Sequence, residues 1–383
     1  MTTKEIKYGV CVFKNIDGVT CYMNSIIAII QQTPIFTDYI LTAKFKDILL
    51  SKMPIDKLHK SILFNLYNLI YLSHTNDHAT INPILFRQSL IRENKMWGKK
   101  QHQDSQELMT FMFNKIEEEI SQKVIFIPGK IFIQDKIFIQ DKIFIQDKIF
   151  IQDKINKDII LSAHDNMISL MAINMWQQFI KNEYSIIKNL FGGMTHINIT
   201  CSCCKTISHN FDIFQILQLS IPNKQKTIYD CLDEFIKKEK IDKENKILCE
   251  FCGLKNQSIK QTLLWKTPKI LIIQFKRFIT DDYGRLSGKL TDMIEYPVEE
   301  LDITKYINPI SPDINKSKYN LYAVNCHRSL NKKSIDFGHY TSIIKNRFDD
   351  KWYIADDSDA LEETENIITE GAYMLFYSRI ENC

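Results

Sequence analysis

The chain has 383 residues, 45% hydrophobic and 25% charged, which suits a globular protein able to bury one large core or two smaller ones. Its 49 basic and 46 acidic residues leave a net charge of +3, so bulk electrostatics give no case for a nucleic acid or a membrane as partner. The opening MTTKEIKYGV has no apolar signal core, and the longest apolar run, SILFNLYNLIYL, is too short and too broken by Asn to span a bilayer. An intracellular monomer of cytoplasm or nucleus is therefore expected, where ten cysteines suit metal binding or catalysis better than disulfides.

Taken in order, the first third reads as helices. The run CYMNSIIAIIQQ after Asp17-Gly18-Val19-Thr20 carries apolar residues around one side and stops before Pro34. DKLHKSILFNLYNLIYL is a second helix. DSQELMTFMFNKIEEEI is a third, with Leu108, Met112, Ile116 and Ile120 recurring every four residues and Asp104 and Glu107 at capping-box spacing. Residues 131–154 then read IFIQDK four times, after a degenerate copy, IFIPGK. The run is too short to stack as a β-helix, and reads as a tandem duplication lengthening a surface loop over 125–154, hairpin-like or poorly ordered. A fourth helical region covers NMISLMAINMWQQFIKNEYSIIKNLF and ends at Gly192-Gly193. Beyond Thr195 the pattern turns to strands: HINITC, FQILQLSI, KILIIQFKRF, YNLYAVNC and HYTSIIKN. Helices first and strands later predict an α+β fold.

Two C-x2-C pairs stand out, Cys201 with Cys204 and Cys249 with Cys252, the second followed by Gly253. Such knuckles fit a closed, structural, tetrahedral zinc site joining the tips of two hairpins. The competing reading is four ordinary buried thiols, and Cys203 is an extra thiol that could replace Cys204. No basic stripe or stacked aromatics lie near the knuckles, which argues against nucleic acid. Cys11, Cys231, Cys326 and Cys383 carry no assigned role.

Cys21 stands where a helix should begin, a position that favours a thiolate and therefore a nucleophile. Such a thiolate needs a histidine, which can be distant in sequence. Two of the nine histidines stand out: His327 in NCHRS and His339 in FGHYTS. A strand after His339 followed by KWYIADDSDA would return Asp356 to the imidazole and fix its tautomer.

In these residues the chain resembles the ubiquitin-specific proteases, a papain-like family of deubiquitinating enzymes. GVTCYMNS is similar to the family's cysteine box and QDSQELMTFMF to its Gln-Asp box. NLFGGMTHINITCSCC, LQLSIP and LCEFCGLKNQS are similar to its zinc-bearing fingers. PKILIIQFKRF and MIEYPVEELDI are similar to the strands before the histidine box. YNLYAVNCHRS, FGHYTSIIKN and WYIADDS are similar to that box itself. The boxes follow one another in order over nearly the whole chain.

The resemblance implies thumb, fingers and palm, at about 1–190, 191–265 and 266–383. It implies Cys21 as nucleophile, His339 as base and later acid, and Asp356 as orienting acid, with Asp357 as its rival. His327 matches a variable position and reads as a strand residue. Asp104 would contact the basic tail of ubiquitin, cap its helix, or both, and Tyr340 would wall the channel for the Gly-Gly tail. The implied reaction is hydrolysis after the last glycine of ubiquitin. The family places an oxyanion-donating Asn five residues before the nucleophile, where this chain has Ile16. Asn15 lies one residue further out: either it still reaches the site past an inserted residue, or the donor is missing. The alternatives are a weakly active or inactive ubiquitin-binding module that shields chains, and a protease for a ubiquitin-like modifier.

Overall fold

A computed structural model describes residues 10–75, 80–127, 130–133, 163–181, 183–222, 226–241, 244–281, 283, 286–329, 338–363 and 366–381. The chain divides into two compact units. One comprises residues 1–121, 272–299 and 320–378, the other 122–271, 300–319 and 379–383.

The first unit is centred on the helix Cys21–Gln32. The sequence puts its apolar residues around one side, yet all 12 of its residues are buried. The polar ones are tolerated because each finds a partner. Asn24 donates to the Phe13 carbonyl (3.2 Å), and Ser25 accepts from the Asn325 amide (2.9 Å). Gln31 donates to the Cys11 carbonyl (3.4 Å), and Gln32 accepts from the Arg347 backbone N–H (3.1 Å). The helix Ser105–Ile120 forms as the pattern predicts, with Leu108, Met112, Ile116 and Ile120 all buried, whereas the helix expected over DKLHKSILFNLYNLIYL is broken at extended Ser61 into a 3-10 turn, Ile55–Lys60, and the α-helix Ile62–Thr75. Glu119, near the end of the later helix, caps the start of the earlier one. Its carboxylate accepts from the backbone N–H groups of Ile62 (2.7 Å) and Leu63 (3.0 Å) and from the Ser61 hydroxyl (2.7 Å). The shorter helices Phe36–Leu41, Phe45–Lys52 and Ile84–Glu93 lie among these.

Strands of the same unit form a sheet in the order Asp359–Glu362, Trp352–Asp356, Gly338–Lys345, Lys318–Ser329, Ala372–Arg379, Ile270–Phe275. Gly338–Lys345 pairs antiparallel with both of its neighbours, so that Arg328 faces His339 and Ala355 faces Ser342. In this meander the strands Gly338–Lys345 and Trp352–Asp356 pack against the helix Cys21–Gln32.

The second unit is built on an antiparallel sheet in the order Ile207–Phe214, Gly193–Thr200, Ile259–Lys266, Glu239–Lys240. Ile168, Ala172, Met194, Phe211 and Trp265 make its core. The single helical region read before Gly192 is two helices, Ala163–Lys181 and Ile186–Phe191. Ser185 starts the second by accepting from the Lys188 backbone N–H, a cap that a continuous helix has no use for. The start of the repeat, Lys130–Ile133, pairs antiparallel with Val124–Ile127 as a hairpin. The remainder of the repeat lies outside the described residues.

Candidate active site and cysteine cluster

Cys21 is the first residue of its helix and is fully buried. His339 lies at the start of Gly338–Lys345, and Asp356 ends the neighbouring strand Trp352–Asp356. His339 Nε2 meets Asp356 Oδ1 at 2.5 Å. The imidazole is pushed up to about 10, first by the hydrogen bond with Asp356 and next by one with the Cys21 thiol. Asp356 is held below the usual carboxylate value, first by its bond to His339. The imidazole is thus bonded to a carboxylate and carried on a strand packed against the helix that begins at Cys21, the three groups a proton relay requires.

Asp357, the rival acid, is 3.9 Å from His339 Nε2 and engaged elsewhere. Its backbone turns into the left-handed region (φ 48°), which aims its carboxylate away from the direction taken by Asp356. It accepts from Asn15 Nδ2 at 2.7 Å and from Asn24 Nδ2 at 2.8 Å. Its carbonyl also accepts from the Phe13 backbone N–H (2.8 Å). Asp357 therefore ties the last strands to both flanks of the nucleophile.

Asn15 is bound at two points. Its Oδ1 accepts from the Thr20 backbone N–H (2.8 Å) and hydroxyl (3.1 Å), and its amide nitrogen donates to Asp357. The extra residue between Asn15 and Cys21 is absorbed by a turn in which Asp17 (φ 57°) and Gly18 (φ 71°) are both left-handed. Buried Arg87 reaches Asp17 at 3.0 Å and fixes that turn. Asn15 is thus held beside the residue preceding the nucleophile despite the changed spacing. An amide carries two N–H donors, and Asp357 takes one.

Asp104 caps the helix Ser105–Ile120 as its position predicts, Oδ1 accepting from Gln106 N (2.6 Å) and Glu107 N (3.3 Å). Its Oδ2 accepts from the Tyr373 hydroxyl (2.8 Å), which in turn accepts from Gln274 (2.6 Å). Burial pushes its carboxyl up, against the pull of these bonds and of one from Tyr340. Tyr340 is 3% exposed and packs against the rings of His327 and Tyr373. His327 is a buried strand residue, driven down to about 3 first by burial and then by Lys289, whose ammonium lies 2.7 Å from its Nδ1. A side chain at Gly338 would overlap the His327 ring, which accounts for the glycine before His339.

In the second unit the thiols of Cys201, Cys204, Cys249 and Cys252 all lie within 4.8 Å of one another and could hold a metal ion. Cys201 and Cys252 are 3.8 Å apart and Cys204 and Cys249 3.6 Å. A tetrahedral zinc with thiolates at the usual bond length needs sulfurs about 3.8 Å apart, so the donor set and its spacing fit. Each pair sits in the turn of a hairpin. One turn joins Gly193–Thr200 to Ile207–Phe214, the other Ile247–Leu248 to Lys255–Asn256. The residue after the second Cys is left-handed in both, Lys205 (φ 64°) in one and Gly253 (φ 68°) in the other. The Cys201 thiol is pushed down to about 6, first by the Cys204 backbone N–H, while the Cys252 thiol is pushed up to about 12 by burial and by the thiols crowded around it. Asn256 donates to the same sulfur (3.1 Å). Cys203 is exposed and is not among the four.

The ubiquitin carboxyl-terminal hydrolase family matches residues 13–377. The chain belongs to this family. It is a family of cysteine-type deubiquitinases. Among the relatives, a probable ubiquitin carboxyl-terminal hydrolase of Acanthamoeba polyphaga mimivirus is 28% identical, over 94% of this chain and 88% of that protein. Ubiquitin carboxyl-terminal hydrolase Usp2 of Drosophila melanogaster is 25% identical over 98% of this chain, which spans only 35% of its length. Ubiquitin carboxyl-terminal hydrolase 2 of Bos taurus is 27% identical over 94% of this chain, which spans 54% of it. Among solved structures, the SAGA Ubp8/Sgf11/Sus1/Sgf73 DUB module bound to ubiquitin aldehyde shares the fold, with a TM-score of 0.69 and 22% identity over all of this chain and 72% of that one.

Placed in this hydrolase family, the chain shows contacts that its sequence does not announce. His102 Nδ1 lies 3.9 Å from the Cys21 sulfur. Asp357 anchors Asn15 and Asn24, Tyr373 closes on Asp104, and Asn256 supports a cluster sulfur. Only the short distance of His102 from the Gln-Asp box could have drawn attention to it. No helix among the described residues is long and apolar enough to cross a membrane.

Proposed function

We propose that this chain cleaves the isopeptide or peptide bond after the C-terminal glycine of ubiquitin, with Cys21 as nucleophile, His339 as proton carrier and Asp356 as the acid that orients it. The reading rests on one observation: the His339 imidazole is bonded to Asp356 at 2.5 Å, on a strand packed against the helix that begins at Cys21. His339 holds the thiol proton as an imidazolium in the resting pair, and the Cys21 thiolate attacks the glycine carbonyl. The imidazolium then gives that proton to the departing amine, and a thioester remains on Cys21. His339 next takes a proton from water, whose oxygen attacks the thioester and frees ubiquitin and the thiol. Asp356 keeps the ring in the required tautomer through both halves. Asn15, held by Thr20 and Asp357, has its remaining amide hydrogen available for the oxyanion.

Asp104, which both caps its helix and sits at the end of the Tyr373–Gln274 chain, is the contact for the basic ubiquitin tail. Tyr340 supports the channel for the Gly-Gly end. Thumb, fingers and palm are assigned to about 1–190, 191–265 and 266–383, with 125–154 as an inserted loop. Zinc held by Cys201, Cys204, Cys249 and Cys252 would tie two hairpin turns together and take no part in the chemistry. The enzyme acts inside the cell as a monomer.

The test is hydrolysis of a fluorogenic ubiquitin C-terminal amide. Turnover by the wild type, abolished in Cys21→Ala with ubiquitin binding kept, is the expected result. Tight binding without turnover by the wild type would instead assign a chain-shielding role. Turnover only of another Gly-Gly-ended modifier would change the substrate.

A further inference from the structure

We propose that His102 is a second catalytic imidazole, donating from Nδ1 to the negative charge that develops on the carbonyl oxygen when Cys21 attacks. It lies outside the Cys21, His339 and Asp356 relay, and the proposal rests on that relay being the site of ubiquitin cleavage. The carrying observation is the 3.9 Å between His102 Nδ1 and Cys21 Sγ, the reacting atom itself. An oxyanion on the carbon newly bonded to sulfur lies about 2.6 Å from that sulfur, so a donor at this range can stand about 2.8 Å from it, as an oxyanion donor must.

Three features support a role in the reaction rather than in the fold. The Cys21 thiol has no exposed surface, whereas His102 is exposed. Its ring thus stands at the boundary that an incoming carbonyl has to pass. The chain around His102 is pinned two residues later by Asp104, which is bonded to the helix start on one oxygen and to Tyr373 on the other. The ring is therefore presented from a fixed point. His339 spends its Nε2 on Asp356 and serves the thiol proton, which leaves the developing oxyanion to other donors. Asn15 is partly committed to Asp357, so a second donor is of use here. His102 gains and loses no proton in this role. It supplies a hydrogen bond that is stronger in the transition state than in the ground state.

The experiment compares wild type, His102→Ala and His102→Gln in two assays. With the ubiquitin C-terminal amide, His102→Ala is expected to lower kcat by about 100-fold with KM nearly unchanged. His102→Gln, which keeps a side-chain N–H donor, is expected to recover part of that loss. Ubiquitin binding measured in the Cys21→Ala background should be the same with and without His102. The second assay is alkylation of Cys21 by iodoacetamide across pH. It needs no ubiquitin, so it rules on the His102–Cys21 contact even where the wild type fails to cleave ubiquitin. There the half-maximal rate is expected at higher pH in His102→Ala, because the thiolate has lost a donor. An unchanged kcat in His102→Ala, a loss confined to KM and binding, or an alkylation profile that does not move would each overturn the proposal.

Discussion

Two adjacent aspartates with one side chain between them in chemistry do different work because one backbone torsion differs. Asp356 ends a strand in extended conformation and meets His339, while Asp357 turns left-handed and meets Asn15 and Asn24. Substitution should separate the two. Asp356→Asn removes the largest influence that raises His339 toward about 10. The native imidazolium then loses its proton at lower pH, so the alkaline limb of kcat/KM should move down toward neutrality, with kcat reduced by about 1000-fold or more. Asp357→Ala should spare the position of that limb. It removes two hydrogen bonds to a carboxylate and leaves buried Asn24 with the Phe13 carbonyl as its remaining acceptor, a cost of about 3 kcal/mol that thermal unfolding would register. The same shifts fix a stability window. The raised His339 contributes fully below its ordinary value of 6.5, and that share is lost as pH rises through about 10. Asp356, lowered from 3.8, contributes above that value and loses its share as pH falls through its depressed one. The sequence left Asp356 and Asp357 open because alternation along a strand does not reveal where the strand ends. It passed over His102 because contact with Cys21 across 81 residues is a product of the fold.

The elements most legible in the sequence were those with a long, regular apolar period. The helices beginning at Cys21 and Ser105 and the strands around His339 formed where periodicity put them. What periodicity could not show was that the first is enclosed on every side, since its polar residues are satisfied by distant partners such as Asp357 and Asn325. Short helices went unread even where a cap announced one. Thr227 and Asp230 form a full capping box for Ile228–Ile236, a signal of three-residue spacing that the apolar pattern around it obscured. The two knuckles were legible as pairs, and the fold supplies their meeting. Lys205 and Gly253 hold equivalent left-handed positions, but only glycine does so without a Cβ penalty. Gly253→Ala should lower stability by about 1 kcal/mol, although open space surrounds the new methyl group, and Lys205→Gly should leave it unchanged or raise it. With the zinc proposed for the four thiols in place, its removal by a chelator should lower the unfolding temperature far more than either substitution and erase the difference between them, as judged by calorimetry with metal analysis.

At the scale of the whole molecule, order along the chain and order in space diverge. The unit that contains Cys21, His339 and Asp356 is assembled from three separated segments, 1–121, 272–299 and 320–378, while both knuckles fall in the other unit. A local pattern cannot disclose such interleaving, and the boxes in sequence order became interpretable only through the family they resemble. Family membership, the α+β fold and the cysteine cluster then agree with that reading, and the roles of individual residues rest on their geometry. The claim on which everything turns is that the sulfur of Cys21 is the atom joined to ubiquitin's terminal glycine. The most direct measurement is intact-mass and peptide mapping after treatment with ubiquitin carrying a C-terminal electrophile. The account predicts one ubiquitin per chain, attached at Cys21, with no adduct formed by Cys21→Ala. Attachment at another of the ten cysteines, or none at all while ubiquitin still binds, would contradict it.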